Sequence, residues 1–217
     1  MSRYEDYHSR GMYCPDDDCE FCKNMRKTGE RMPPIHGILP DFEIARIPSM
    51  IEPFIDHQVR DGVISYGLSS FGYDIRLADE FMVSSIKNQP YILDPKNTSD
   101  IFESFTAKER FILSANSFIL GRSVEYITVP RDIEVICIGK STLCRVGIFA
   151  NISPLESGWR GTITIEIANL GNKGVWIYPN EGIAQLLFFR AEVSCKTSYA
   201  NRHGKYQGQT TVTPSRV

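Results

Sequence analysis

An all-β fold, a sandwich or barrel of many short strands, is what the sequence predicts, on three observations. Apolar residues alternate with polar ones over short runs; turn signals such as Asp94-Pro95, Pro130-Arg131 and Pro179-Asn180 separate the runs; helical periodicity is scarce. The candidate strands are Tyr73 to Leu77, Glu80 to Val83, Arg110 to Leu113, Phe118 to Val124, Ile133 to Ile138, Gly147 to Ile152, Thr162 to Leu170, Gly174 to Ile177 and Ala184 to Ala191. Thr162 to Ile167 is the clearest: Thr162, Thr164 and Glu166 share one face and three isoleucines share the other. Met50 to Gly62 is expected to hold a short helix, with Ile51, Phe54, Ile55 and Val59 on one side and proline limiting its length. No repeat at a solenoid period is present.

The 217 residues suit one domain, or one domain with an appendage. Residues 1–35 differ in texture from the rest. They are charged, carry Cys14, Cys19 and Cys22, are poor in aliphatic residues and end around Met32-Pro33-Pro34, so a Cys-containing appendage is expected there and the domain proper over 36–217.

Lys and Arg number 24 against 26 Asp and Glu, a formal charge of -2. Such a chain has no field to draw a duplex or an anionic membrane, so neither nucleic acid nor membrane is an expected partner. No apolar run approaches the roughly 20 residues of a membrane helix. The first residues lack the apolar stretch of a signal peptide. A cytoplasmic protein with reduced thiols is the expectation for its six cysteines, rather than a disulfide framework. Cys14, Cys19 and Cys22 with His8 or His36 form a candidate small zinc site, against the plainer reading of an exposed, reduced appendage.

Three segments carry chemistry. In Gly139-Lys140-Ser141-Thr142-Leu143-Cys144-Arg145, a glycine, hydroxyls and cations follow a strand. A helical turn there would put Ser141 and Arg145 on one face, with backbone N–H groups free for a phosphate. It is not a Walker A loop, because no glycine stands five residues before Gly139. The second segment is Glu156-Ser157-Gly158-Trp159-Arg160-Gly161, which runs into the strand bearing Glu166. The third is Gly204-Lys205-Tyr206-Gln207-Gly208-Gln209, a tail able to fold over a bound nucleotide.

With Ile64 to Arg76 (ISYGLSSFGYDIR) and Glu181 to Leu186 (EGIAQL), these segments occur in the order of the dCTP deaminase family, which the chain resembles from about Ile51 onward, within the wider dUTPase-like superfamily. The resemblance implies a mainly β fold, a distorted barrel of the dUTPase-like type with a few short helices. It also implies a homotrimer with active sites between subunits, a Mg2+ ion carried by the triphosphate and inhibition by dTTP.

The implied reaction is hydrolysis of dCTP to dUTP and ammonia, which supplies dUTP for thymidine nucleotides. Zinc deaminases activate water with an H-x-E and P-C-x-x-C metal set. None of the histidines, at 8, 36, 57 and 203, begins H-x-E, and Asp18 precedes Cys19-Glu20-Phe21-Cys22, so no catalytic zinc is expected. By family match Glu166 is the general base that passes water's proton toward N3 and the leaving ammonia, a role typically worth about 10²–10⁴-fold. Ser141 orients the water, and Arg145 holds the glutamate and stabilises developing charge. The match also assigns nucleotide contacts to Lys140, Thr142, Leu143 and Cys144, to Thr164 and Ile165 around the base, and to Gln185, Tyr199, Lys205 and Gln209, the last two by closing the tail over the phosphates. Glu156 stands where dUTPases carry an aspartate, and is assigned to the deoxyribose 3′-OH or its surroundings. A bifunctional deaminase and dUTP diphosphatase, a pure dUTPase, a non-catalytic nucleotide-binding barrel, and dCMP or a modified cytosine nucleotide as substrate are the alternatives.

Overall fold

A computed structural model describes residues 36–84, 93–96, 98 and 101–216. The proposed appendage and the zinc candidates Cys14, Cys19, Cys22 and His8 lie outside the described residues. Among those described, no helix is long and apolar enough to cross a membrane.

The fold is mainly β. In chain order the elements are β1 (Gly37–Ile38), α1 (Asp41–Arg46), β2 (Ile51–Glu52), β3 (Gln58–Val59), β4 (Tyr66–Ser69), β5 (Gly72–Ser84), β6 (Phe102–Thr106), β7 (Phe111–Leu113), β8 (Ser117–Thr128), β9 (Ile133–Gly139), α2 (Ser141–Cys144), β10 (Ile148–Asn151), β11 (Arg160–Asn169), β12 (Val175–Ile177) and β13 (Gly182–Arg190). All but β7 and β12, which pair with each other, join one sheet with the backbone order β1-β13-β5-β8-β11-β10.

The sheet curls because β5 serves two neighbourhoods. Its first half, Tyr73 to Arg76, pairs with β13 and contacts β4, whereas Phe81 to Val83 pair with β8 and β6. The register shift between Leu77 and Phe81 marks the bend. Tyr73, Asp74 and Ile75 are all buried, as expected for a strand covered on both faces. Gly121 on β8 is required by this packing: a Cβ there would come within 2.8 Å of Leu77 Cδ1.

The alternation of β11 is realised, with Ile163, Ile165 and Ile167 fully buried in the core. Its pairing with β8 shifts between Thr162 and Thr164. The backbone N–H of Ile163, displaced from the ladder, donates instead to Ser123 Oγ at 2.8 Å, and that hydroxyl donates to the Glu125 carbonyl at 2.6 Å. A buried N–H is thereby satisfied by a side chain inside the bulge.

The expected helix over Met50 to Gly62 does not form. Ile51 and Glu52 pair with β8, Gln58 and Val59 pair with β4, and Phe54 stacks on Tyr73. The apolar residues that imitate a helical stripe are instead consumed singly by different neighbours. The first helix lies earlier, at α1, behind Pro40, with Asp41 and Glu43 in its first turn and Arg46 in its last.

Candidate active site

Two groups of the expected residues are brought together, and they are separate. The first surrounds a cavity of about 670 Å³ between the polar face of β11, the loop before it and the C-terminal segment. Its apolar wall includes Leu120, Ile152, Leu155, Trp159 and Ile163; its polar lining includes Thr164, Glu166, Glu156, Tyr199, Tyr206, Gln209 and Thr213. This mixture suits a flat heteroaromatic ring with a few fixed hydrogen-bonding edges.

The C-terminal segment walls the cavity through bonds to β11 and its approach. Gln209 bridges Gly161 in parallel fashion, its carbonyl accepts from Thr162 N at 2.8 Å and its Nε2 donates to the Thr162 carbonyl at 2.8 Å. Thr213 N donates to Thr164 Oγ1 at 3.1 Å, and Trp159 Nε1 donates to the Tyr206 carbonyl at 3.1 Å. Gln209 Oε1 is buried without a partner, an unused acceptor beside the cavity. Tyr199 packs against the core, and its hydroxyl accepts from Tyr206 N at 3.1 Å. Gly204 is needed beneath it, since a Cβ there would lie 2.1 Å from the Tyr199 ring. Lys205 Nζ, expected on phosphate, donates to the Arg216 carbonyl at 2.6 Å and so ties the segment to itself.

Glu166 projects from β11 into this cavity. The residue is exposed overall, yet the surrounding walls partly desolvate the carboxylate and push its pKa above the ordinary glutamate range, against an opposing hydrogen bond from Asn151. That is the direction a general base working near neutral pH requires. Glu156 stands on the same wall, where Arg202 Nη2 donates to its Oε2. Ile165 points the other way, fully buried, and does not line the cavity.

The second group lies at the end of β9. Lys140 precedes α2, and Arg145 Nη1 donates to Ser141 Oγ at 3.3 Å, the one-turn spacing expected from sequence. Ser141, Thr142, Cys144 and Arg145 are exposed, whereas Leu143 is buried in the core and anchors the turn. Lys140 Nζ lies 2.6 Å from Asp74 Oδ2, which also accepts from Gln58 Nε2 at 2.8 Å. Gln185 is opposite Asp74 across β13 and β5, and its Nε2 donates to Ser69 Oγ at 3.1 Å. None of residues 140–145, nor Gln185, lines the cavity that holds Glu166. The three expected catalytic residues are therefore split, with Glu166 on one group and Ser141 and Arg145 on the other.

Sequence reading missed Asn151, the hydrogen-bond partner of Glu166, and Arg202, the partner of Glu156. It also missed Asp74 as the anion that holds Lys140. The signal that could have found Asn151 is the adjacency of the candidate strands Gly147 to Ile152 and Thr162 to Leu170, since neighbouring antiparallel strands bring specific residues opposite each other.

Comparison with known proteins supports the same reading of the chain. The sequence profile described as dCTP deaminase-like matches residues 38–191. A dCTP deaminase of Herpetosiphon aurantiacus is 49% identical over 174 residues, covering 80% of this chain and 94% of the relative. One from Pelagibacter ubique is 49% identical over 185 residues, covering 83% of this chain and all of the relative (100%). Among solved structures, a 2′-deoxycytidine 5′-triphosphate deaminase from Agrobacterium tumefaciens shares the fold, with a TM-score of 0.55 at 14% identity over 72% of this chain and 48% of that one. With a curled sheet that places a partly desolvated glutamate in a cavity, a matching profile and relatives at half identity over nearly their full lengths, the chain belongs to the dCTP deaminase-like family.

Proposed function

We propose that the protein hydrolyses dCTP to dUTP and ammonia with Glu166 as general base and without zinc. The observation that carries this reading is the placement of Glu166: a partly desolvated carboxylate with a raised pKa at the polar end of a largely apolar cavity. Water bound beside it loses a proton to the carboxylate as the oxygen attacks C4. Glu166 passes that proton to N3, and the second water proton follows to the amino group, so that the C4–N bond breaks with loss of ammonia and a C4 carbonyl remains. Thr164 and Gln209 line the base, while Tyr199 and Glu156 flank the sugar.

The split of the expected residues supports a homotrimer in which α2 of one copy completes the cavity of the next. Ser141 and Arg145 are exposed, and Ile138, Val146, Phe149 and Leu170 around them expose 50%, 53%, 51% and 70% of their surface. Apolar residues clustered at such exposure mark an interaction face. In the trimer Ser141 orients the water, Arg145 stabilises the charge developing at C4, and Lys140 with the turn through Cys144 meets the phosphates. Gln185 steadies that turn through β9, and Lys205 reaches the phosphates from the tail. These cations suit phosphate oxygens rather than a metal, and among the described residues no group of three or more His, Cys, Asp or Glu converges. They fit a Mg2+ ion held by the triphosphate, which would neutralise phosphate charge. A cytoplasmic setting and inhibition by dTTP belong to the same proposal.

Glu156 bears on the bifunctional reading. Its Oε2 is taken by Arg202 rather than left to a water beside the phosphates, which favours release of dUTP. Purified protein incubated with dCTP and Mg2+ is expected to yield dUTP and ammonia in equal amounts without pyrophosphate. Pyrophosphate with dUMP would make it bifunctional, and binding without ammonia release would overturn catalysis altogether.

A further inference from the structure

We propose that Asn151 is a positioning residue for Glu166, its amide holding carboxylate Oε2 so that Oε1 is presented to the attacking water and to the cytosine ring. The inference rests on the reading of Glu166 as the base. Asn151 and Glu166 are direct partners across the antiparallel pair β10–β11, so both side chains leave the same face. Asn151 Nδ2 donates to Glu166 Oε2 at 3.1 Å. The sense of the bond is fixed by chemistry, because an ionised carboxylate only accepts and the amide must present its NH2 group. The register is fixed too: Ala150 faces Ile167 in the next rung, both buried, and a one-residue slip would expose that rung.

The terminal torsion of a glutamate is broad and nearly two-fold. One anchored oxygen restricts it and identifies the other as the proton acceptor. Among the described residues, the one other group bonded to the carboxylate is the backbone N–H of Glu166 itself, so no second side chain of this chain holds it. Asn151 is exposed and absent from the core, so packing gives no competing reason for an amide at this position.

The other polar groups around Glu166 are engaged elsewhere or aimed elsewhere. On β8, opposite Thr164, Arg122 pairs with Glu80 at 2.7 Å. On the cavity walls Glu156 pairs with Arg202, Asp94 Oδ1 accepts from Lys96 N at 2.9 Å, and Tyr199 and Tyr206 belong to the C-terminal closure. Arg145 of a second copy is the one further charge, supplied by the proposed trimer. Asn151 is therefore the single side chain bonded to the carboxylate within this chain.

Loss of the Asn151 donor removes an interaction that favours the ionised form, so the acid limb of the kcat/KM profile moves to higher pH. The experiment compares pH profiles for dCTP deamination by the wild type, Asn151→Ala, Asn151→Asp and Glu166→Gln. A partly exposed hydrogen bond to a charge predicts a shift of about half a unit to one unit for alanine. The near-isosteric aspartate, which keeps the strand geometry, sets a like charge beside the carboxylate and moves the limb further. KM on the plateau stays within about twofold, as expected for a group that does not touch substrate. An inactive Glu166→Gln together with unshifted acid limbs in both Asn151 variants would overturn the positioning role alone. A Glu166→Gln enzyme that still turns over would overturn the base and the positioning role together.

Discussion

The cavity around Glu166 and the turn at Lys140 to Arg145 are built on opposite plans. The cavity is walled by its own chain: the C-terminal segment supplies Gln209, Thr213 and Tyr206, and the Gln209 carbonyl and Nε2, Thr213 N and the Tyr206 carbonyl bond to β11 or its approach. The turn is open, and Ser141, Thr142 and Arg145 stand in solvent on a helix of four residues. A cavity whose walls partly desolvate a carboxylate raises its pKa and suits proton transfer at a ring. An exposed cation such as Arg145 on a short turn suits phosphate oxygens and costs little desolvation until a ligand or a neighbouring subunit arrives. The chemistry of one substrate is thus divided between two surfaces that a single chain does not join.

That comparison can be broken at each of its parts. The largest effect is expected at the cavity. Glu166→Gln should lower kcat by about 10²–10⁴-fold while dCTP binding, measured by calorimetry, stays near wild type. A loss confined to KM would move the proton-transfer role elsewhere.

Next comes the anchor of the turn. Lys140 and Asp74 are both nearly buried and 2.6 Å apart, so Asp74→Asn strands a buried ammonium. Urea unfolding should show a loss of about 3–5 kcal/mol, the range for breaking one side of a buried pair. A change below 1 kcal/mol would mean that Lys140 swings freely into solvent and has no built position from which to meet a phosphate.

The smallest effect concerns the bulge that sets the height of Thr164 and Glu166 on β11. Ser123→Ala leaves the Ile163 N–H buried without its acceptor, and a loss of about 1–3 kcal/mol is expected by the same unfolding measurement. An unchanged midpoint would show that the strand relaxes and that Ser123 does not fix the bulge.

Much of the fold was legible because alternation is a local signal. The threonine and isoleucine faces of β11 follow from spacing alone, and the pairing of Ser141 with Arg145 follows once the segment turns helically. The Met50 to Gly62 helix was misread because Ile51, Phe54 and Val59 meet three different partners, which periodicity does not distinguish from one apolar stripe. The site was legible as residue types and not as placement. Nothing near Lys140 in sequence announces Asp74, and nothing near Glu156 announces Arg202, because both pairs arise from long-range packing. The separation of Glu166 from Arg145 does not follow from spacing, since the two lie close in sequence with only β10 between α2 and β11; active sites between subunits were implied by the resemblance alone.

The central claim is that one active site draws Glu166 from one copy and Arg145 from the next, and subunit mixing tests it directly. Glu166→Gln and Arg145→Ala proteins, each inactive alone, would be unfolded together, refolded at equal concentration and assayed for ammonia release from dCTP. In any mixed cyclic trimer one of the three sites then receives both intact residues, so random assembly should restore about a quarter of wild-type activity. No recovery from a mixture shown to contain mixed trimers would place both residues in the same subunit's site and contradict the account.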